Sequence, residues 1–306
     1  MFAVKLESMK LLLRATCLIV ILSGLALAQR PRQTTPTGSA RMISVVSQPR
    51  AIVWIDEIRR GVTNDGGILG SLKLSAGTHN LRVRAMGFKE ISTPISAVQR
   101  GEVTVRLVRT NDQAELLFQK AENARESAKD DLSRQGAVDL YRQTVKLRPA
   151  YAAAHVGLAR VLSDLNDTNG ALAEIEAARV ARAVYPEASA VEGRIYRETG
   201  QIDEAIGAFN RAIREAHGFQ PEAHVGIGRV YEDKGQYDLA AREFKIATDQ
   251  LFDTEPIIYQ MLGAAFEKTG KNQEAIAAYE NYLRLAPNGS MAQAVRSIVE
   301  QLKSQP

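Results

Sequence analysis

Two hydrophobic periods divide this chain. Over residues 41–110, Leu81, Val83 and Ala85 alternate with Asn80, Arg82 and Arg84, and Val103, Val105 and Leu107 alternate with Thr104 and Arg106. A period of two places one face of a strand in a core and the other in water. The apolar run from Ala51 to Ile55, closed by Asp56, reads as a largely buried strand with Trp54 in the core. Turn signals fall between these segments at Asn64-Asp65-Gly66-Gly67, Ala76-Gly77, Met86-Gly87 and Arg100-Gly101. Short strands with turns at such intervals predict a small antiparallel β-sandwich.

From residue 112 the pattern becomes helical and repeats itself. Gly157, Gly193, Gly228 and Gly263 recur at spacings of 36, 35 and 35, and Arg160, Tyr196, Tyr231 and Phe266 follow three residues after them. Gly200, Gly235 and Gly270 end three of these first helices. A second helix then carries Ala171, Ala205, Ala240 and Ala275, with Ile175, Phe209, Phe244 and Tyr279 four residues on. Small residues let antiparallel helices approach, and an aromatic fills the wedge between successive pairs. Pro149, Pro186, Pro221 and Pro256 stand where each first helix is expected to begin, a position that needs no N–H. Two repeats depart from the period. The one near Ala150 reads as having about two extra residues in its turn, Asn166 to Asn169, and the first, near Ala114, as having a turn about four longer. Ser290 is the expected N-cap of a closing helix over 289–304, with Met291, Val295, Ile298 and Leu302 on one face.

Ahead of both regions, Lys5, Lys10 and Arg14 precede the 14-residue weakly polar or apolar stretch Ala15–Ala28, which closes on Ala26-Leu27-Ala28. That is the layout of a signal peptide, with cleavage expected after Ala28. The alternative is an uncleaved anchor, the only route by which this chain would meet a membrane, although a spanning helix needs about 20 residues. Cys17 follows Arg14-Ala15-Thr16 and precedes the apolar core, the reverse of a lipidated cysteine, so it reads as part of the leader. Residues 29–40, rich in Thr and Pro, read as a flexible linker.

The β region resembles the PEGA domain of extracytoplasmic bacterial proteins. The resemblance rests on Ser47-Gln48-Pro49-Arg50-Ala51-Ile52-Val53-Trp54-Ile55-Asp56, on Gly61-Val62-Thr63, and on Leu72-Lys73-Leu74-Ser75-Ala76-Gly77-Thr78-His79-Asn80-Leu81-Arg82-Val83-Arg84 with the closing Gly87-Phe88. Arg50 and Glu57 stand where the family has glycine. The resemblance implies a non-catalytic surface domain.

The helical region resembles the tetratricopeptide repeat, with its small–x–x–aromatic first helix, turn glycine and Ala–x–x–x–aromatic second helix. This implies an all-α solenoid over 111–306 of about four and a half repeats, the first degenerate, plus the closing helix. The family's geometry lines a concave groove with first-helix residues, among them Tyr151, Leu158, Arg194, Arg197, Arg229, Glu232, Gln260 and Lys268. Arg194, Arg197 and Arg229 are candidates to bind acidic groups of a protein or peptide partner. The competing reading pairs them with Glu187, Glu198, Glu222 and Glu232 on the same wall. Lys and Asn columns that clamp a terminal carboxylate in some family members are missing here.

Composition then narrows the function. One cysteine excludes a disulfide framework and any multi-thiolate metal site. His79, His155, His217 and His224 have neither metal-ligand spacing nor cysteine companions, and no phosphate-cradling glycine loop or catalytic constellation appears. No enzyme, cofactor or metal is therefore expected. The formal net charge of +4 resolves into +2 for residues 1–28, +8 for 29–110 and −6 for 111–306. Arg59, Arg60, Arg82, Arg84 and Arg106 are candidates to touch an anionic envelope polymer, against the plainer reading of a solvated face. Without interleaved aromatics, no nucleic-acid partner is expected. The leading expectation is an exported cell-envelope adaptor whose groove holds a protein. The alternatives are a polymer-binding module with the repeats as spacer, and a periplasmic assembly factor or chaperone.

Overall fold

Alternation along the strands sorts their side chains into one shared core. In the computed structural model, which describes residues 41–304 apart from Ser75 and Phe252, seven strands form two sheets. They are β1 (Arg41–Val46), β2 (Ile52–Ile55), β3 (Ile58–Val62), β4 (Ile68–Leu74), β5 (His79–Arg84), β6 (Ile91–Ile95) and β7 (Gly101–Thr104). One sheet has the order β4-β1-β7 and the other β3-β2-β5-β6. Ile43, Val45, Val53, Ile55, Leu72, Leu74, Leu81, Val83 and Ile95 meet between them, each under 7% exposed. The expected leader, its cleavage point and the linker fall at residues 1–40, outside the described residues.

The sandwich is not wholly antiparallel as expected, because β7 runs parallel to β1, Ile43 opposite Gly101 through Val46 opposite Thr104. A hairpin forces antiparallel pairing, but β7 reaches β1 by crossing from the other sheet after β6, free of that constraint. A second correction concerns Trp54. It faces away from the sandwich core, opposite Arg59 on β3 and Arg82 on β5, and is only half-buried. The apolar run through β2 is covered on both faces, and only one cover is the sandwich.

Two tight turns hold non-glycine residues in the left-handed region. In Gln48-Pro49-Arg50-Ala51 the Ala51 N–H donates to the Gln48 carbonyl, and Arg50 has φ 57°. Proline followed by positive φ defines a type II turn, whose third position is made for glycine. Between β2 and β3, Asp56 (φ 52°) and Glu57 (φ 65°) form a two-residue hairpin loop with both φ values positive, the type I′ requirement. Both positions where the PEGA family carries glycine are therefore left-handed here. Arg50→Gly is expected to stabilise the chain by about 1 kcal/mol, the strain of a side chain at positive φ. The exposed Arg50–Asp65 contact it removes (3.4 Å) contributes little. A melting temperature that falls on Arg50→Gly would refute this.

Eleven helices follow: α1 (Gln113–Ser127), α2 (Asp131–Leu147), α3 (Ala152–Asp164), α4 (Thr168–Ala181), α5 (Pro186–Glu198), α6 (Ile202–Glu215), α7 (Pro221–Asp233), α8 (Tyr237–Leu251), α9 (Pro256–Lys268), α10 (Asn272–Leu285) and α11 (Ala292–Ser304). Pro186, Pro221 and Pro256 are the first residues of α5, α7 and α9. Pro149 instead lies before α3, which begins at Ala152. The extra residues of that repeat lie in the helix after Gly157 rather than in the turn, although α3, which starts later, is no longer than its counterparts. α3 runs seven residues past Gly157, whereas α5, α7 and α9 stop five past their glycines. Two residues beyond α3 stands Asn166 at φ 63°, the place taken by Gly200, Gly235 and Gly270 after the others. Asparagine is the usual substitute for glycine there.

The first helical pair is complete. α1 and α2 are joined by a three-residue connection, Ala128–Asp130, no longer than those of the other pairs, and Asp130 caps α2 with Ser133 in a reciprocal box. The array is thus five pairs plus α11, which starts two residues after Ser290 and buries Ala292, Val295, Val299 and Leu302.

Packing explains the columns. A Cβ on Gly193, Gly228 or Gly263 would stand 2.4–2.6 Å from Phe209, Phe244 or Tyr279 of the partner helix. α4 carries Ile175 in that place. There the glycine of α3, Gly157, accommodates Tyr141 from the preceding α2, with a Cβ–ring distance of 2.5 Å.

Candidate protein-binding wall

The first helices α1, α3, α5, α7 and α9 lie side by side and present the predicted wall. Its arginines bridge neighbouring helices. Arg194 on α5 lies 3.4 Å from Asp164 at the end of α3, and Arg197 lies 3.1 Å from Asp233 on α7. Arg229 is exposed, its Nη2 lies 4.0 Å from Met261 Sδ, and among the described residues no carboxylate stands within 4.0 Å of it. Glu232 is half-buried next to it. Burial raises its carboxyl, and Asp233 adds to the rise while Arg229 and Arg197 oppose it. Lys268 is exposed and Gln260 half-buried at the last repeat.

At the other end the wall differs from the expectation. Leu158 is 1% exposed, inside a cluster with Phe118, Tyr141, Val161, Val191 and Ile195. It is core, not groove lining. Tyr151 is engaged: its ring lies 4.8 Å from that of Phe118 and its hydroxyl donates to Glu115 (2.5 Å). The sequence reading also missed Arg160, which takes the column held by Tyr196, Tyr231 and Phe266 in the other repeats. Its guanidinium reaches Glu187 (3.3 Å) and Glu222 (3.0 Å), tying α3 to α5 and α7. The signal was the one charged residue in an aromatic column.

The outer face of β3-β2-β5-β6 is turned toward this wall. It carries Trp54 with Arg82 and Arg84 stacked over it, guanidinium carbons 4.3 and 5.2 Å from the ring. Arg84 is 7% exposed, pairs with Glu90 (2.7 Å) and Glu122 of α1 (3.8 Å), and lies 4.6 Å over the Phe118 ring. Arg59 pairs with Glu126, also on α1 (3.0 Å). Gln119 accepts from Gly87 N–H (2.9 Å) and donates to the Phe88 carbonyl (2.8 Å), fixing α1 to the turn after β5. Farther along, Ile58 joins the cluster of Phe244, Leu251, Ile258, Met261 and Leu262. A cleft of about 610 Å³ separates Arg59, Arg60 and Lys73 from Asp253 and Glu255 ahead of α9.

These contacts change the charge of the wall. Burial raises the Glu187 carboxyl, but Arg160, Arg82, the Tyr185 hydroxyl and Arg84 outweigh it, leaving the group below the usual carboxylate range. Arg82 and Arg84, read as a wet polar face, are instead 16% and 7% exposed and paired with Glu57, Glu90 and Glu122. Arg60 donates to the Lys73 carbonyl (3.2 Å). Arg106 is exposed, and among the described residues no carboxylate lies within 4.0 Å of it.

Three histidines serve as links. His79 contacts Asp56 (2.5 Å), His155 contacts Glu174 on α4 (2.6 Å) and the Pro149 carbonyl (2.8 Å), and His224 contacts Glu243 on α8 (2.7 Å). The hydrogen bond to Glu174 raises the His155 pKa against its burial. Among the described residues no group of three His, Cys, Asp or Glu side chains could hold a metal ion, and no helix is long and apolar enough to cross a membrane.

The tetratricopeptide repeat family model matches residues 158–221, 190–256 and 225–290. This segment is a tetratricopeptide-repeat array. A thermophilic TPR protein from Thermus thermophilus shares 22% identity, with 63% of this chain covering 100% of that one at a TM-score of 0.51. Pseudomonas aeruginosa pilF shares 15%, with 62% of this chain against 88% of that one at 0.50. A chain of the APC/C hetero-tetramer Cut9-Hcn1 shares 15%, with 63% against 41%, also at 0.50. No curated protein matches the sequence.

Proposed function

We propose that this chain is an exported, non-enzymatic adaptor of the bacterial cell envelope that holds a protein partner on the tetratricopeptide wall. The observation that carries the reading is Arg229. It stands exposed on the wall without a carboxylate within 4.0 Å among the described residues, in line with Arg194 and Arg197, which have them. A guanidinium left open beside paired ones is a donor set aside for an acidic group arriving from outside. Likeness of the array to a chain of a Cut9-Hcn1 hetero-tetramer supports protein binding. Lys5, Lys10, Arg14 and Ala26-Leu27-Ala28 support export, and the left-handed Arg50 and Glu57 support a PEGA-like reading of the β unit.

Arg194→Glu with Arg229→Glu is expected to lower the yield of partner cross-linked to the chain in intact cells by about tenfold or more. That corresponds to losing one or two charge-assisted hydrogen bonds of about 1.5–3 kcal/mol each. Mass spectrometry of the cross-linked set reads the outcome, and a set unchanged in identity and yield defeats the proposal.

A further inference from the structure

The half of the wall nearest the β unit is acidic, and what lies on it is basic and aromatic. Glu122 and Glu126 of α1 face Arg84 and Arg59, and Glu187 of α5 feels the charges of Arg82 and Arg84. Trp54 lies beneath two of those arginines, and Phe118 of the wall receives Arg84 on its ring. The net charges match this geometry, +8 for residues 29–110 against −6 for 111–306. Of the two ion pairs that cross the contact, Arg84–Glu122 is largely buried and Arg59–Glu126 is partly exposed. Arg59 and Glu126 keep 43% and 34% of their side-chain exposure, and a cleft of about 610 Å³ opens beside Arg59, although Ile58 still packs into the cluster that includes α9. The exposed pair is weak and screened by salt, so the rim of the contact is open to a competing face, while Arg84, Gln119 and Ile58 hold its centre.

We infer that this half of the wall is a receptor for a basic, aromatic protein face, occupied within the chain by the outer sheet of the β unit, so that a partner of that chemistry binds only by displacing it. The inference concerns a different surface from Arg194, Arg197 and Arg229, and it stands or falls independently of the open half. Its ligand is opposite in charge to the acidic partner those arginines would take.

Trp54 is the only tryptophan of the chain and lies in the contact, so its fluorescence reports docking directly. In the full chain, Arg84→Glu is expected to raise iodide quenching of Trp54 severalfold and to increase the radius of gyration, with helical circular dichroism retained. Arg59→Glu should raise quenching in the same direction, and the swap Arg59→Glu with Glu126→Arg should reverse that rise. A fluorescein-labelled peptide of alternating arginine and tryptophan is the ligand probe. It should bind the Arg84→Glu chain at least about tenfold more tightly than the unaltered chain. Arg106→Glu makes the same charge change at an exposed site away from the wall and should leave probe affinity within about twofold. If Arg84→Glu fails to fold, Arg59→Glu takes its place, because that side chain is exposed and, among the described residues, Glu126 is the one carboxylate it pairs with inside 4.0 Å. Unchanged quenching and size in the reversed variants would overturn the inference. So would equal probe affinity for the reversed and unaltered chains, or an equal gain from Arg106→Glu.

Discussion

Phe244→Ala is expected to destabilise the array by about 3–5 kcal/mol, the usual cost of emptying an aromatic site in a core that only partly collapses. Phe244 is 0% exposed and sits in the cluster that joins α8 to α9. The more informative result comes from its neighbour. A Cβ on Gly228 would lie 2.4 Å from the Phe244 ring edge, closer than any stable carbon contact. Gly228→Ala gains about 1 kcal/mol of helix propensity. Against that, overpacking a buried ring costs about 1–3 kcal/mol. In the native background the substitution should therefore be neutral to destabilising by about 2 kcal/mol. Once Phe244 is alanine the clash is gone, and Gly228→Ala should stabilise by about 1 kcal/mol. The change of sign across a double-mutant cycle, followed by urea unfolding and helical circular dichroism, is the measurement. If Gly228→Ala stabilises the unaltered chain, the ring is not packed against that helix and the column has another cause.

That coupling shows what was legible in the sequence. A glycine in a first helix and an aromatic in its neighbour recur because one makes room for the other, so period alone locates both. The left-handed turns were not legible in the same way, because Arg50 and Glu57 stand where glycine would have marked a positive φ. Periodicity reports that a position is buried without saying by what. Trp54 was expected in the sandwich core, but its cover is Arg82, Arg84 and the α1 side of the molecule. Arg82 and Arg84 alternated as a solvated face should, yet their partners Glu90 and Glu122 lie on other elements and leave no local mark. Leu158 occupies a groove position by count and a core position in space, because Phe118 and Tyr141 close over that end of the wall. The parallel β1–β7 pair was hidden for a related reason: strand direction follows from a crossover that no residue pattern encodes. What the sequence did hold of the interface was its charge, split between two regions of opposite sign. The opposition was readable, but not that the two regions meet.

Glu192→Ala should also be strongly damaging, although it lies outside the aromatic column. Glu192 on α5 is 15% exposed and accepts from Arg179 of α4 (2.7 Å) and from Arg211 of α6. Both arginines also donate to Ser189 Oγ, at 2.8 and 3.3 Å, and Ser189, which is 0% exposed, donates in turn to Glu215 (2.6 Å). One carboxylate thus anchors three helices. Removing it leaves two guanidinium groups sharing only the Ser189 hydroxyl, which is itself bonded to Glu215. Breaking a buried pair from one side costs about 3–5 kcal/mol. Arg211 keeps 35% of its side-chain exposure and can turn to water, which places the expected loss near the low end, about 3 kcal/mol. Glu192→Gln keeps an acceptor in place and should lose about half as much, the difference between a charged and a neutral hydrogen bond. Asp249→Ala, which breaks the exposed Lys245–Asp249 pair on α8, should change stability by less than about 0.5 kcal/mol. Because each repeat is stabilised mainly by its neighbours, the loss at α4–α5–α6 should also uncouple the two ends of the array. A broadened or two-step urea transition in Glu192→Ala, beside a single sharp one in Asp249→Ala, is the expected signature. Equal midpoints for the two variants would show that the network adds nothing beyond an exposed ion pair.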